Sequence, residues 1–482
     1  MKQILRMSIF LATLTVLFGT WSWAQEYPDP STYVPTIQQI DEHKKLMDDP
    51  RPYLKDWGVK QVVPKSLWDK LTSNVDEMKQ TWSDLVGFKA PDVVGKISPE
   101  IKPGKYTYKD LQQYPSLKAL MYPDLYNRIK PGAPPFVGNI PEFEIIPTRQ
   151  YYWSLPIAKM TKENIGKTKQ NSKGYIITDT WQGGYPFPNP SGPTKAQQIM
   201  YNVEKRYNSF GQDMLIIGRV SGYDKNLRND FKGSYEIRQI KLSGRALMEP
   251  YGWFDDRAKE RKEARAMLMS FTSPRDMAGT LQSSTYYLDP NKPDNILMYL
   301  SAMRRIRKMT SSDTQDPIGG QDQIYDDLEG FSQKLSPDRY PYKYEVVDER
   351  EFLVIAPTMD GAEYVSSDGL EFRNIRLERR PLYVVKLTQL DPSYVYSYRL
   401  FYIDKETFIF YHVENYDQKG RLYRSNDTNL SWCPEIGDLN WTGCLHLMRD
   451  HIDQHSSFEQ PYQVPVALTR EDISLQGFVK AR

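Results

Sequence analysis

The feature that most constrains this chain is a series of strand-like segments that recur roughly every 10–15 residues from about Gln212 onward. They are Met214–Ser221, Gly233–Leu242, Gly279–Leu288, Ile296–Leu300, Tyr344–Ile355, Leu382–Gln389, Tyr396–Ile403, Thr407–Glu414 and Leu422–Asn429. Hairpin-sized polar turns join several of them, Asp404-Lys405-Glu406 and Asp417-Gln418-Lys419-Gly420 among them. Such spacing over more than 200 residues predicts a meander of antiparallel strands: one large, curved sheet or open barrel, not several small domains. The 34 tyrosines favour the same answer, because aromatic side chains fit a pleated, half-buried surface. The highly charged Arg257–Ser270 is predicted to interrupt the meander as a helix.

The strands also bear on function. One face of Tyr396–Ile403 carries Tyr396, Tyr398, Leu400 and Tyr402, the other Ser397, Arg399, Phe401 and Ile403, and Phe408–Val413 is apolar on both faces. Such a sheet has protein packed on each face or encloses a cavity. On the cavity alternative, Tyr398, Leu400, Phe408 and Phe410 line it, and Trp82 covers it from a helix predicted over Pro64–Val86. Leu67, Leu71, Val75, Met78, Trp82 and Leu85 form that helix's apolar stripe and Gly87 ends it. Further helices are expected over Thr36–Met47, Tyr108–Met121 and Thr194–Tyr207.

At the N-terminus Lys2 and Arg6 precede an apolar run, Ile9–Phe18, and Ser22-Trp23-Ala24 is a small-x-small cleavage site. This is the pattern of a secretory signal peptide cleaved after Ala24, and its apolar run is too short to span a bilayer. The mature protein is therefore expected to be exported, periplasmic and soluble. In that oxidising setting Cys433 and Cys444, the two cysteines of the chain, are expected to form a local disulfide, worth about 2–3 kcal/mol. The expected organisation is residues 1–24 signal peptide, 25–100 Pro-rich extension with an amphipathic helix, 101–431 sheet domain and 432–482 C-terminal tail.

The densest mixture of residue types is Ile296–Phe331: an apolar strand, the basic return Arg304-Arg305-Ile306-Arg307-Lys308, a loop through Ser311-Ser312-Asp313 and Gly319-Gly320, and the acidic turn Tyr325-Asp326-Asp327-Leu328. Strand alternation splits the basic residues between two faces, which argues against one dense anion site. Arg304, Arg305 and Arg307 either pair with Asp313, Asp326, Asp327 and neighbouring aspartates or present a partner or head-group surface. With a net charge of +2 and no basic platform interleaved with aromatics, nucleic acid is not an expected partner. Chemistry-bearing residues are scarce. Five histidines occur, and the cluster Cys444-Leu445-His446, His451 and His455 lacks the spacing of a zinc site. The adjacent Asp255-Asp256 points apart on a strand, and there is no nucleophile elbow, phosphate loop or dinucleotide fingerprint. No metal, cofactor or catalytic residue is expected.

The Ile296–Phe331 stretch resembles the signature of bacterial outer-membrane lipoprotein-sorting-type (Lol-like) carriers, and the whole chain is similar to a proteobacterial periplasmic family of unknown function in that group. Further marks are Tyr122-Pro123, Pro147-Thr148-Arg149, Gly183-Gly184-Tyr185-Pro186-Phe187-Pro188, Arg399–Asp404 and Tyr416-Asp417 with Gly420. The likeness spans roughly residues 100–430. Gln321-Asp322-Gln323 departs from the usual Ser-Asp-Phe, and nothing after Trp432 matches. The resemblance implies an α+β fold: an unclosed, curved antiparallel half-barrel with helices as a lid over an apolar cavity. It implies a carrier or chaperone for a hydrophobic, lipid-like molecule or lipoprotein acyl chain, with resistance–nodulation–division-type exporters and outer-membrane β-barrel proteins as partners. The alternatives are a non-enzymatic adaptor between such an exporter and an outer-membrane protein, and a metal-dependent enzyme using the C-terminal histidines.

Overall fold

The computed structural model describes residues 69, 72–130, 140–207, 213–226, 228–310, 313–359, 371–372, 374–466 and 468–476. The expected signal peptide, the expected Thr36–Met47 helix and Pro64 lie outside the described residues. Helix α1 (Val75–Val86) starts at Asn74, whose side-chain oxygen accepts from the amides of Asp76 and Glu77 at 2.8 and 3.3 Å. It ends at Gly87, whose φ of +89° closes the left-handed cap. The predicted Pro64–Val86 helix is therefore not continuous, because residues 72–74 are not helical.

Short elements follow: α2 (Ala90–Val93), β1 (Gly104–Thr107), α3 (Asp110–Gln113), a 3₁₀ turn (Pro115–Leu120), α4 (Pro123–Arg128) and β2 (Glu142–Ile146). Pro115 splits the helix predicted over Tyr108–Met121, since its ring cannot continue an α-helix from Gln113. Helices α5 (Leu155–Asn164) and α6 (Lys195–Glu204) precede the strand-rich part. That part holds β3 (Met214–Tyr223), β4 (Asn229–Lys241), β5 (Ser243–Arg245), β6 (Gly252–Trp253), α7 (Asp256–Arg261), β7 (Glu263–Ser273), β8 (Leu281–Tyr287), β9 (Asn295–Leu300) and β10 (Arg305–Lys308). A loop with two 3₁₀ turns leads to β11 (Tyr342–Ile355), β12 (Thr358–Met359), β13 (Arg376–Gln389), β14 (Tyr398–Asp404), β15 (Phe410–Tyr416), β16 (Leu422–Cys433), β17 (Asp438–Asp450) and β18 (His455–Pro465).

Sixteen of these strands form one sheet that does not close on itself, ordered β1-β2-β13-β14-β15-β16-β17-β18-β3-β4-β7-β8-β9-β10, with β11 also on β13 and β12 on β16. Pairing is antiparallel except for β13 with β2 and β12 with β16, so the sheet is mixed. Three expectations need correction. The charged helix over Arg257–Ser270 is only α7: Lys262 turns left-handed at φ +56°, and Glu263 onward is strand. There Arg265, Met267, Met269 and Phe271 alternate along β7, in register with Lys241, Gln239, Ile237 and Tyr235 of β4. The C-terminal tail is not an appendage, because β17 and β18 lie in mid-sheet and join β16 to β3. Nor is Cys433 in a disulfide, and the side chain of Cys444, its expected partner, lies outside the described residues. The Cys433 thiol is buried and donates to Glu435 Oε2 at 3.5 Å.

Both faces of the β13–β16 region are covered by protein. On one, Tyr122 stacks on His412 with ring centroids 4.1 Å apart. On the other, Phe331 meets Phe401 edge-on at 5.5 Å. Trp82 of α1 is fully buried and donates its indole N–H to Glu406 O at 2.7 Å, which pins the helix to the β14–β15 turn.

Candidate functional site

The apolar side chains of the sheet divide into two groups. The larger is the main core; the second is a separate cluster on one face of β3, β4, β7 and β9. Register assembles this face. Ile216 pairs with Ile237, Ile237 with Met269, Met269 with Gln282 and Gln282 with Met298, so one row crosses five strands. A parallel row runs Met214, Gln239, Met267, Ser284, Ile296. With Met277 and Met309, six methionines belong to this cluster or pack against it. Unbranched, polarisable methionine reshapes around what it touches, as on adaptable binding surfaces.

The loop between β10 and β11 covers this face. Gly319 (φ +55°) and Gly320 (φ +83°) make a turn that bonds Ile318 N to Gln323 O at 2.9 Å and tucks Ile318 into the cluster. Glycine suits the left-handed φ of Gly319, and a Cβ there would lie 2.7 Å from the movable Met277 methyl. Between loop and sheet lies a recess, partly open to solvent, that holds a cavity of about 40 Å³. Its apolar wall includes Ile237, Met267, Met269 and Leu328. Its polar end carries Glu459, Gln323, His446 and Arg265.

Polar groups at that end are set by the fold. Gly218 leaves room for the Tyr235 ring to lie across β3, a Cβ there being 2.0 Å from the ring, and the Tyr235 hydroxyl donates to Glu459. Burial pushes the Glu459 carboxyl up to about 7. Burial, reinforced by Arg206, holds His446 down at about 4, so its imidazole is neutral.

The covering loop is latched by its acidic turn. Asp326 accepts from Tyr394 and Tyr340 at 2.8 Å each and from Gln333 at 3.1 Å, while burial still raises it to about 6. Asp327 accepts from the Tyr396 hydroxyl at 2.6 Å and pairs with Arg399 at 2.7 Å, and Arg399 also donates to Gly330 O at 3.1 Å. Asp322 accepts from Ser457 at 2.7 Å and holds His455 Nδ1 at the same distance. These aspartates therefore anchor the loop to β14, β18 and their flanks. They are not partners of the basic return, which stands exposed on β10 at the sheet edge. Arg304 sits in the β9–β10 turn at φ +50° beside exposed Met303, and Arg305 and Arg307 are exposed. The Asp313 side chain lies outside the described residues.

None of the five predicted cavity residues lines this recess. Phe408 is fully buried against Tyr185, and Phe410 packs on Phe401 under Arg206. Tyr398 stacks on Tyr416 at 4.2 Å, Leu400 is half-buried beside the core, and Trp82 is fixed at Glu406. That half of the sheet is already filled by other parts of the chain. This recess is hidden in the sequence because Met267 and Met269 fall in the segment predicted as helix; the period-two run Arg265-Met267-Met269-Phe271 and the mid-strand Gly218 are the signals that mark it.

The C-terminal histidines do not converge. His446 faces the recess and meets Thr428 at 3.2 Å, His451 meets Ser425 at 2.9 Å, and His455 joins Asp322. Among the described residues, Asp124, His412 and Asp427 bring donor atoms within 4.8 Å of one another on the opposite face. Asp427 there already accepts from Arg128 and Arg449 at 2.7 and 2.8 Å and from His412 at 2.7 Å. Two guanidiniums supply the charge a cation would bring, so the group is built as an ion network joining α4 to the sheet.

The model of a family described as "Protein of unknown function (DUF1329)" matches residues 107–465. No curated protein matches the chain. Among solved structures, a DUF1329 family protein from Desulfovibrio piger is similar at 15% identity and a TM-score of 0.39, covering 58% of this chain and 93% of that one. A putative outer membrane lipoprotein-sorting protein domain from Vibrio parahaemolyticus gives 15% identity and 0.38, with 58% and 94% covered. A LolA superfamily protein from Nitrosomonas europaea gives 12% and 0.37, with 58% and 97% covered.

Proposed function

We propose that this chain, which belongs to the DUF1329 family, is an exported, periplasmic carrier that holds the apolar part of a lipid-like molecule on its methionine-rich face beneath the 309–332 loop. The observation that carries this reading is an apolar cluster set apart from the main core, rich in methionine and roofed by a latched loop over an open recess. The signal-peptide pattern and the Lol-like signature in Ile296–Phe331 support the compartment and the type of device. The 40 Å³ cavity holds only a few waters, so an acyl chain enters as the loop lifts and the methionines repack. Nothing in this action needs catalysis, and we assign the protein a non-enzymatic role.

Organic extraction or native mass spectrometry of the gently purified full-length protein is expected to recover a lipid-like molecule, and an apolar fluorescent probe should bind the delipidated protein saturably. Met269→Trp, which fills the recess, should abolish probe binding while the protein stays folded. Binding that survives Met269→Trp and Met267→Trp would refute the location; no bound lipid and no probe binding would refute the carrier.

A second reading rests on the exposed edge. Met303 and Ile306 are 60% and 61% exposed amid Arg304, Arg305 and Arg307 at the last strand of the sheet. This edge suits docking to an envelope partner, an exporter of the resistance–nodulation–division type or an outer-membrane β-barrel protein. In-cell crosslinking from this hairpin should capture one, and reversing the three arginines to glutamate should abolish the contact; an unchanged crosslink would exclude the edge.

A further inference from the structure

A second recess adjoins the first. It has a volume of about 70 Å³, and Arg265 and Ser332 line both. Its walls carry Lys205, Arg206, Lys241, Arg265 and Lys334 against two carboxylates, Glu204 and Asp294. Those carboxylates are engaged, Glu204 with Lys205 at 2.6 Å and Asp294 with Lys334 at 3.0 Å. Lys241 and Arg265 are direct cross-strand partners of β4 and β7, so two like charges face each other, an arrangement that destabilises a sheet unless something lies between them. Arg265 donates to Gln239 Oε1 at 3.3 Å and to Ser332 Oγ at 3.1 Å and lies over the Tyr286 ring. Lys241 is 6% exposed and lines the recess with its ammonium over the Tyr207 ring at 4.6 Å; Asp213, the carboxylate that attracts it, is already bonded to Arg245 at 2.6 Å. Burial, with Lys205 and Arg265 adding repulsion, brings Lys241 down to about 7. A buried ammonium whose attracting carboxylate is shared with a guanidinium is under-compensated, and an anion is the group that would relieve it.

We propose that this recess binds the anionic group, carboxylate or phosphate in type, of an amphiphile whose apolar part occupies the adjoining methionine-lined recess. The proposal rests on the carrier reading and adds the chemistry of the cargo's head. Lys241 and Arg265 contact the anion from facing strands, and Ser332, at the seam, donates where head meets tail. Because Ser332 belongs to the covering loop, through its amide to Asp326 O at 3.0 Å, head-group capture and loop closure are coupled.

The test uses delipidated full-length protein and three probes: a dansyl-labelled undecanoic acid, its uncharged methyl ester, and inorganic phosphate. The acid is expected to bind about tenfold to a hundredfold tighter than the ester, the worth of one or two charge-assisted hydrogen bonds. Lys241→Met should lower the acid to the ester's affinity and leave the ester unchanged, while Lys241→Arg should keep the preference, showing that charge and not folding is at issue. Equal binding of acid and ester to the wild type, or a preference untouched by Lys241→Met, overturns the head-group assignment and leaves the carrier standing. Phosphate bound in a Lys241-dependent way with neither amphiphile bound overturns both, and marks a free-anion site.

Discussion

Replacing Asp327 by asparagine tests the latch and gives a magnitude. Asp327 and Arg399 are 6% and 1% exposed at the side chain and meet at 2.7 Å. Removing one charge of such a pair costs about 3–5 kcal/mol, mostly because the other is left buried without compensation. Arg399 keeps Asn415 Oδ1 at 2.7 Å and Gly330 O at 3.1 Å, and the carboxamide can still accept from Tyr396, so the lower figure applies. About 3 kcal/mol is roughly a hundredfold in the opening equilibrium of the loop. Native-state hydrogen exchange reads this directly at the amides of Ile318, Asp327 and Ser332, which bond within the loop at 2.9, 2.9 and 3.0 Å. Those amides should exchange about a hundredfold faster in Asp327→Asn, while β13 and β14 amides keep their protection and a bound apolar probe leaves faster. Asp327→Leu with Arg399→Met should restore protection to within about 1 kcal/mol, since a buried pair can be exchanged for apolar groups at little cost. If loop and sheet amides accelerate together, the loop does not open as a unit and gating by it is wrong.

Three further outcomes follow from the buried polar groups. Glu459, raised to about 7, keeps its proton in the folded state where the unfolded chain has lost it; stability should therefore fall as pH rises from 4.5 through 7, by up to about 3 kcal/mol, and Glu459→Gln should flatten that part of a denaturation–pH profile. His412 has the opposite sense. Burial disfavours its charge, but Asp427 and Glu414 win and hold it at about 9, so its contribution is whole below 6.5 and lost as pH rises through 9; the deficit of His412→Gln against wild type should be largest near pH 6 and close by pH 10. Gly218→Ala should displace the Tyr235 ring and free Glu459, lowering the urea midpoint by the equivalent of about 1–3 kcal/mol, and an unchanged midpoint would show that the ring has room to move.

The sheet was legible wherever β-branched and aromatic residues stand in runs bounded by polar turns, as in β3, β13 and β14. It was illegible in β18, where Ser456, Ser457, Gln460 and Pro461 give no apolar alternation, and in β17, where the ladder with β16 shifts between Leu430 and Trp432. Those strands are specified by their neighbours, β16 and β3, which the local sequence does not contain. The loop was visible as an unusual stretch, and its aspartates stood out. Their partners did not, because Tyr394, Tyr396 and Arg399 lie some 70 residues away and become neighbours only across the folded sheet. The recess shows the same limit, since a methionine facing a cavity and one facing a core look alike in sequence.

The central position of β17 and β18 has a bearing on the order in which this molecule can be built. Until they are made, β13–β16 and β3–β10 have no strand between them, and each block ends in a raw edge, β16 on one side and β3 on the other. The methionine-lined recess needs both: β18 supplies Glu459, and β3, β4 and β7 supply the methionine wall. These two strands thus act as the keystone of an arch. Loss of residues 438–465 would leave two half-sheets, each presenting an open edge for aggregation, and no site. A chain with this strand order cannot complete its sheet until residues 438–465 have been made, so the blocks that precede them must stay unjoined until then.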